Sequence, residues 1–343
     1  MKTLVQRIAF LLVAVALLTT SALPARAQDA GAAAKFSETK ARAEKGDPAA
    51  QADLGVLYAN GNGVKQDHAA AAQWFRKAAD QNVAEAQHNM GLAYANGEGV
   101  ERNYTEALIW FRKASENGDA ESQQILGESY LNGMGVKKDP SEAAKWYRKA
   151  AEKNSASAQY NLGMLYYTGD AVGKDLAMAV HWWRRAAEQR HVRAQRQLGI
   201  CYYYGDGIEK NFAEAAIWYR KSADQGDADA QLKLGALYAN GEGVRKEFAE
   251  AVKWFRRAAE QNNADSQFNL GFCYWKGQGV PQNNAEAYAW FSLAAKEVPQ
   301  AAELRDRLED KLSVDEMLGS RKRIKELREM IDAKLKEAAS KAP

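Results

Sequence analysis

Apolar residues recur along this chain in short blocks at i, i+3, i+4 and i+7, and the blocks themselves return every 36 residues. In one unit, Ala50, Leu54, Leu57 and Tyr58 predict a helix over about 48–60, with Asp47 and Pro48 as N-cap and first helical residue. The segment Asn60-Gly61-Asn62-Gly63-Val64 ends it, since glycines at 61 and 63 can take backbone angles closed to other residues. A second helix opens after Asp67, where Ala71, Trp74, Phe75 and Ala78 make one buried stripe. The cap position holds Asp67, Asn103, Asp139, Asp175, Asn211 and Asn283, with Glu247 the exception. Three residues on stand Glu106, Glu142, Glu214, Glu250 and Glu286, the pattern of a capping box.

Three ladders keep the 36-residue step. Glycine recurs at 55, 91, 127, 163, 199, 235 and 271; tryptophan at 74, 110, 146, 182, 218, 254 and 290; tyrosine at 58, 94, 130, 166, 202, 238 and 274. A helical glycine costs about 1 kcal/mol against alanine, so its return predicts a close approach of the first helix to the tryptophan of the second. One hairpin cannot bury its own stripe, and the units must stack.

Units such as LGALYANGEGVRKEFAEAVKWFRRAAEQ at 234–261 resemble Sel-one-like repeats, relatives of the tetratricopeptide solenoids. The resemblance covers residues 46–296 as seven repeats. It implies an all-α, right-handed superhelical solenoid of helix-turn-helix units used for protein binding, with the first helices lining the concave face. Repeat four departs from the pattern at Ala171, where the second loop glycine belongs, and Arg190-His191 replaces the usual Gly-Asp or Asn-Asn link. Both loops are expected to be reshaped.

At the ends, residues 1–27 read as a cleavable secretory signal: Lys2 and Arg7, an apolar run from Ile8 to Leu18, then Ala25-Arg26-Ala27. That predicts a periplasmic or secreted protein without membrane insertion. Removing the three cations of the leader brings the net charge of +3 to about zero, which disfavours a nucleic-acid partner. Residues 28–34 are expected to be disordered, and Phe36–Lys45 to form an N-terminal capping helix, completing 28–45. Residues 297–343 should form C-terminal capping helices, opened by the box Ser313-Val314-Asp315-Glu316 and carrying the stripe Met317, Ile324, Leu327, Ile331 and Leu335. A coiled-coil dimer is the alternative for that stripe; the simpler expectation is a monomer.

The repeating residues occupy one arc of each first helix, and the varying ones occupy the other. By the resemblance the varying arc is the binding surface. It presents Tyr160, Asn161, Met164 and Tyr167 in repeat four, Arg196, Ile200, Tyr203 and Tyr204 in repeat five, and Phe268, Asn269, Phe272 and Trp275 in repeat seven. Aromatics with Arg and Asn suit a partner protein segment, although each of these aromatics could equally pack between neighbouring helices. A basic run, Arg184, Arg185, Arg190, His191, Arg193 and Arg196, could steer an anionic partner but reads more simply as a solvated helix end. The four histidines lie in different repeats, expected on the surface or in the groove, and no metal, cofactor or nucleophile constellation is visible. Cys201 and Cys273 share one repeat position two units apart, roughly 20 Å by helix packing distances, too far for a disulfide. Cysteine-rich relatives with a disulfide in each repeat have been linked to β-lactam chemistry, and that pattern is absent. The expectation is therefore a non-catalytic scaffold or adaptor in the bacterial envelope. A β-lactam or cell-wall hydrolase and a structural spacer are the alternatives.

Overall fold

The computed structural model describes residues 25–341, and all the regular structure among them is helical. The leader expected over 1–27 lies, as far as residue 24, outside the described residues. None of the described helices is long and apolar enough to cross a membrane.

After α1 (Ala25–Glu44) the chain alternates between two helical classes. First come α2 (Pro48–Asn60) and α3 (His68–Asp80), α4 (Ala84–Asn96) and α5 (Tyr104–Glu116), α6 (Ala120–Asn132) and α7 (Pro140–Glu152), then α8 (Ala156–Thr168) and α9 (Leu176–Glu188). There follow α10 (Val192–Tyr204) and α11 (Phe212–Asp224), α12 (Ala228–Asn240) and α13 (Phe248–Ala259), α14 (Ala264–Lys276) and α15 (Asn284–Ala294), ending with α16 (Pro299–Glu309) and α17 (Val314–Lys341). The result is an all-α solenoid. It falls into two compact units, one ending at Gly173 and the other starting at Lys174.

Within each unit the glycine ladder sets the fit of the hairpin. A Cβ on Gly55 would stand 2.5 Å from the Phe75 ring, and on Gly127 it would stand 2.6 Å from the Tyr147 ring. The close approach is thus to the aromatic that follows the tryptophan, not to the tryptophan itself. Helical spacing shows that both rings face the partner helix but does not show which one meets the glycine. Trp110, Trp146 and Trp254 lie instead between two cations: Lys113 is 4.1 Å and Arg76, from the preceding repeat, 4.8 Å from the Trp110 ring.

A polar spine runs beside this core. Gln51, Gln87, Gln123, Gln195, Gln231 and Gln267 are all buried, and each donates its side-chain N–H to a backbone carbonyl eight residues earlier, as Gln123 does to Ser115 at 3.0 Å. The amide oxygen then accepts from the residue that ends or follows the second helix of its own repeat: Gln81 donates to Gln51 at 2.8 Å, Asn117 to Gln87 at 2.8 Å, Gln225 to Gln195 at 2.7 Å and Gln261 to Gln231 at 2.9 Å. Paired amides can sit in the core without the cost of an unmet polar group.

The caps depart from the capping-box expectation. Asn103 and Asp139 accept backbone N–H bonds at the starts of α5 and α7, yet their own N–H groups donate to the carbonyls of Tyr94 and Tyr130 at 2.8 Å. The glutamates are left free for other work, as Glu142 pairs with Lys145 at 2.8 Å. Among the described residues only the box at α17 is reciprocal: Ser313 N–H donates to Glu316 at 2.9 Å and Glu316 N–H to Ser313 Oγ at 3.3 Å.

Three further expectations are corrected. Residues 28–34 are helical, because α1 already begins at Ala25; the run is rich in alanine, the strongest helix former, and the Ala32 carbonyl sits directly against Gly63. The Arg190-His191 link is not reshaped: Arg190 takes φ +66°, matching Asn82 and Asn262, and His191 Nδ1 caps α10 by accepting from Ala194 N–H at 3.2 Å. His88 is buried rather than on the surface. At Ala171 the loop does change, since that residue lacks the positive φ of its glycine counterparts Gly63 and Gly207.

Candidate functional site

The repeated residues are consumed by the core, which leaves the varying arc of the first helices to be examined residue by residue. In the first unit, Tyr160, Asn161, Met164 and Tyr167 on α8 are all half-buried. Asn161 hydrogen-bonds the buried Tyr147 phenol, which burial and the nearby Glu128 charge push far above its ordinary value.

In the second unit, Arg196 is not a free cation. Its guanidinium holds Asp227, the N-cap of α12, at 3.0 Å and Asp229, within α12, at 2.6 Å. Ile200 is half-buried. Tyr203 packs edge-on to Tyr204 at 4.9 Å and to Phe212 at 5.1 Å, and its hydroxyl donates to Glu242 at 3.3 Å. Burial, then the Glu242 charge, raises the Tyr203 phenol. Tyr204 is 60 % exposed, the most open aromatic of the twelve candidates.

On α14 the aromatics do a different job. Phe268, Phe272 and Trp275 pack against the buried cluster that includes Phe291, Ala301 and Leu308, so α16 and the last repeat share their area; Asn269 is half-buried beside them. The twelve candidates thus divide between the two units, four on α8 in the first and eight on α10 and α14 in the second. Residues absent from the expectation also enter: Phe212 and Glu242 complete the Tyr203 cluster, and Tyr147 reaches the arc from a second helix. Tyrosine at 147 and 219, where phenylalanine stands at 75, 111, 255 and 291, was the available signal.

The basic run is largely committed to the fold. Arg184 donates to Tyr202 OH at 2.8 Å, Arg185 stacks on Trp182 at 5.0 Å and Arg196 holds two aspartates. His191 has its pKa lowered by burial and then by Arg193.

A serine, a histidine and an aspartate do meet in the first unit, but not as a catalytic triad. Ser122 Oγ lies 2.9 Å and Asp119 3.1 Å from the same ring nitrogen, Nδ1 of His88, and Ser122 is fully buried. A triad needs the two on opposite nitrogens with the hydroxyl open to substrate. Burial alone would raise Asp119, yet bonds from His88 and Ser122 hold its carboxyl below the usual value. Cys201 and Cys273 are buried free thiols, pushed up by burial to about 12 and about 11, opposite to what a nucleophile needs. No group of three His, Cys, Asp or Glu among the described residues could hold a metal ion.

A solenoid of 36-residue helical hairpins, with cores built from repeated residues and a varying first-helix face, is the architecture of an interaction scaffold. The chain belongs to the Sel1 repeat family, whose model matches seven times in succession, at 48–83, 84–119, 120–155, 156–191, 192–227, 228–263 and 264–297. It is similar to the crystal structure of c5321, a protective antigen of uropathogenic Escherichia coli with an SLR fold, at 34% identity and a TM-score of 0.78, covering 86% of this chain. The chain spans 63% of that protein's length. It is also similar to a Sel1 repeat protein from Oxalobacter formigenes, at 33% identity and a TM-score of 0.64, covering 80% of this chain and 79% of that one. No curated protein matches the chain.

Proposed function

We propose that this chain is a non-catalytic adaptor of the bacterial envelope, exported by its leader and binding a segment of another protein along the varying arc of its first helices. The observation that carries the reading is the cluster of Tyr203, Tyr204 and Phe212. Three rings and the Glu242 carboxylate meet on the one stretch of the arc where an aromatic is 60 % exposed. Edge-on aromatics already ordered by each other lose little freedom on binding, as a hot spot requires. The Sel1 repeat family consists generally of protein-interaction scaffolds, and the similarity to a protective antigen of uropathogenic Escherichia coli supports an envelope setting.

Affinity capture from envelope extract tests this, with the intact chain against the double variant Tyr203→Ala, Tyr204→Ala. The expected result is a protein enriched by the first and lost by the second, while both melt cooperatively. Capture of the same set by both would refute the reading.

A further inference from the structure

We infer that the exposed face of the first helices in the first unit, α2, α4, α6 and α8, docks a basic peptide segment whose arginine or lysine side chain reaches Glu128. The inference rests on the scaffold reading above and specifies the chemistry of its partner.

Those four helices carry Asp53, Glu85, Glu121 and Glu128 and not one Lys or Arg. Repeat architecture does not demand this, because the first helices of the second unit carry Arg193, Arg196, Lys233 and Lys276 against only Asp229 and Asp265. Nor do nearby Lys or Arg side chains neutralise the face, and the one base on it among the described residues is His88, 3.8 Å from Glu121. Arg42 of α1 is held by Asp47 at 2.7 Å, while Lys113 and Arg148 on the second helices are occupied by the Trp110 ring at 4.1 Å and the Tyr166 hydroxyl at 2.7 Å.

The four acids fall at repeat positions equivalent to 49, 53 and 56, within about 60° of one another on a helix. One row of that face reads Val56, Leu92, Glu128, Met164, all half-buried, so a single carboxylate interrupts an apolar stripe. Glu128 accepts one hydrogen bond, from Gln124 at 3.2 Å, and no cation pairs with it. Burial raises its pKa. A sunken anion with a lone amide partner is expensive, and an incoming cation offsets that cost. The apolar neighbours set the rest of the requirement: a cationic side chain flanked by apolar ones. The outer carboxylates, Asp53, Glu85 and Glu121, would speed encounter with such a segment.

The test is fluorescence anisotropy of the full chain with two labelled peptides, one alternating Leu and Arg and one alternating Leu and Glu. The Leu-Arg peptide should bind, more weakly at high ionic strength, and the Leu-Glu peptide should not. Glu128→Gln should weaken the Leu-Arg peptide about tenfold without lowering the melting temperature. Glu85→Gln with Glu121→Gln should mainly reduce the salt dependence. No binding, equal binding of both peptides, or unchanged binding by Glu128→Gln overturns the inference. Those results leave the scaffold reading standing if Tyr203→Ala, Tyr204→Ala still abolishes capture.

Discussion

Lys153 stands where Gln81, Asn117, Gln225 and Gln261 stand in other repeats, and it cannot do their work. Its ammonium donates to the Gly118 carbonyl at 2.5 Å, while Gln123 Oε1 is left buried without a partner. An unmet buried acceptor costs about 1–3 kcal/mol, so Lys153→Gln should raise stability by about 1 kcal/mol in denaturant unfolding. Gly127→Ala should do the reverse. The methyl group would press on the Tyr147 ring, and overpacking of about 1–3 kcal/mol exceeds the helical gain of alanine over glycine, about 1 kcal/mol. His191 gives a pH signature. Its folded pKa is depressed below the ordinary value of 6.5, so the unfolded chain binds the proton more readily. The stability this cap contributes is full above pH 6.5 and falls as pH drops toward the folded value. His191→Asn keeps a capping side chain but cannot titrate, and should flatten this part of the melting temperature profile between pH 7.5 and 5. An unchanged profile would mean the imidazole is not acting as an acceptor.

At the scale of elements, periodicity and punctuation made the hairpins legible. Pro48–Asn60 begins and ends, and His68–Asp80 begins, where Asp47, Gly61 and Asp67 said they would, because caps and left-handed glycines are local chemistry. What local chemistry does not determine is which neighbour an element meets. That is why the glycine ladder was matched to the wrong aromatic, and why the cap N–H groups went to tyrosine carbonyls across a loop rather than to glutamates three residues on. It is also why Phe272 reads as groove in sequence, yet packs against a cluster that α16 helps to build. The two aromatics should therefore separate in stability: Phe272→Ala should cost about 3 kcal/mol, whereas Tyr204→Ala should stay within about 0.5 kcal/mol. The helix α17 is equally specific in its seat. Leu327 and Ile331 are buried, Leu327 joins the Trp290 cluster, and Arg323 holds Glu286 of α15 at 2.7 Å. Leu327→Ala should cost about 2–5 kcal/mol and speed amide exchange in α15.

Across the whole molecule, two kinds of residue divide the labour. Those returning every 36 residues close the hairpins and join each to the next through the glutamine spine, the stacked cations and the tyrosine-bound arginines. Those that vary are left on the first helices, where Tyr204 is open and the first unit shows acids without cations. Outward positions on the second helices also hold exposed apolar side chains, Ile109 at 44% and Ile217 at 47%, and these are the natural rival surface. Oxidative footprinting of the chain, alone and with its captured partner, compares the two faces directly. The account predicts protection of Tyr203 and Tyr204 on binding, with Ile109 and Ile217 oxidised at the same rate in both states. Protection of Ile109 and Ile217 with Tyr204 unchanged would contradict it and move the binding surface to the second helices.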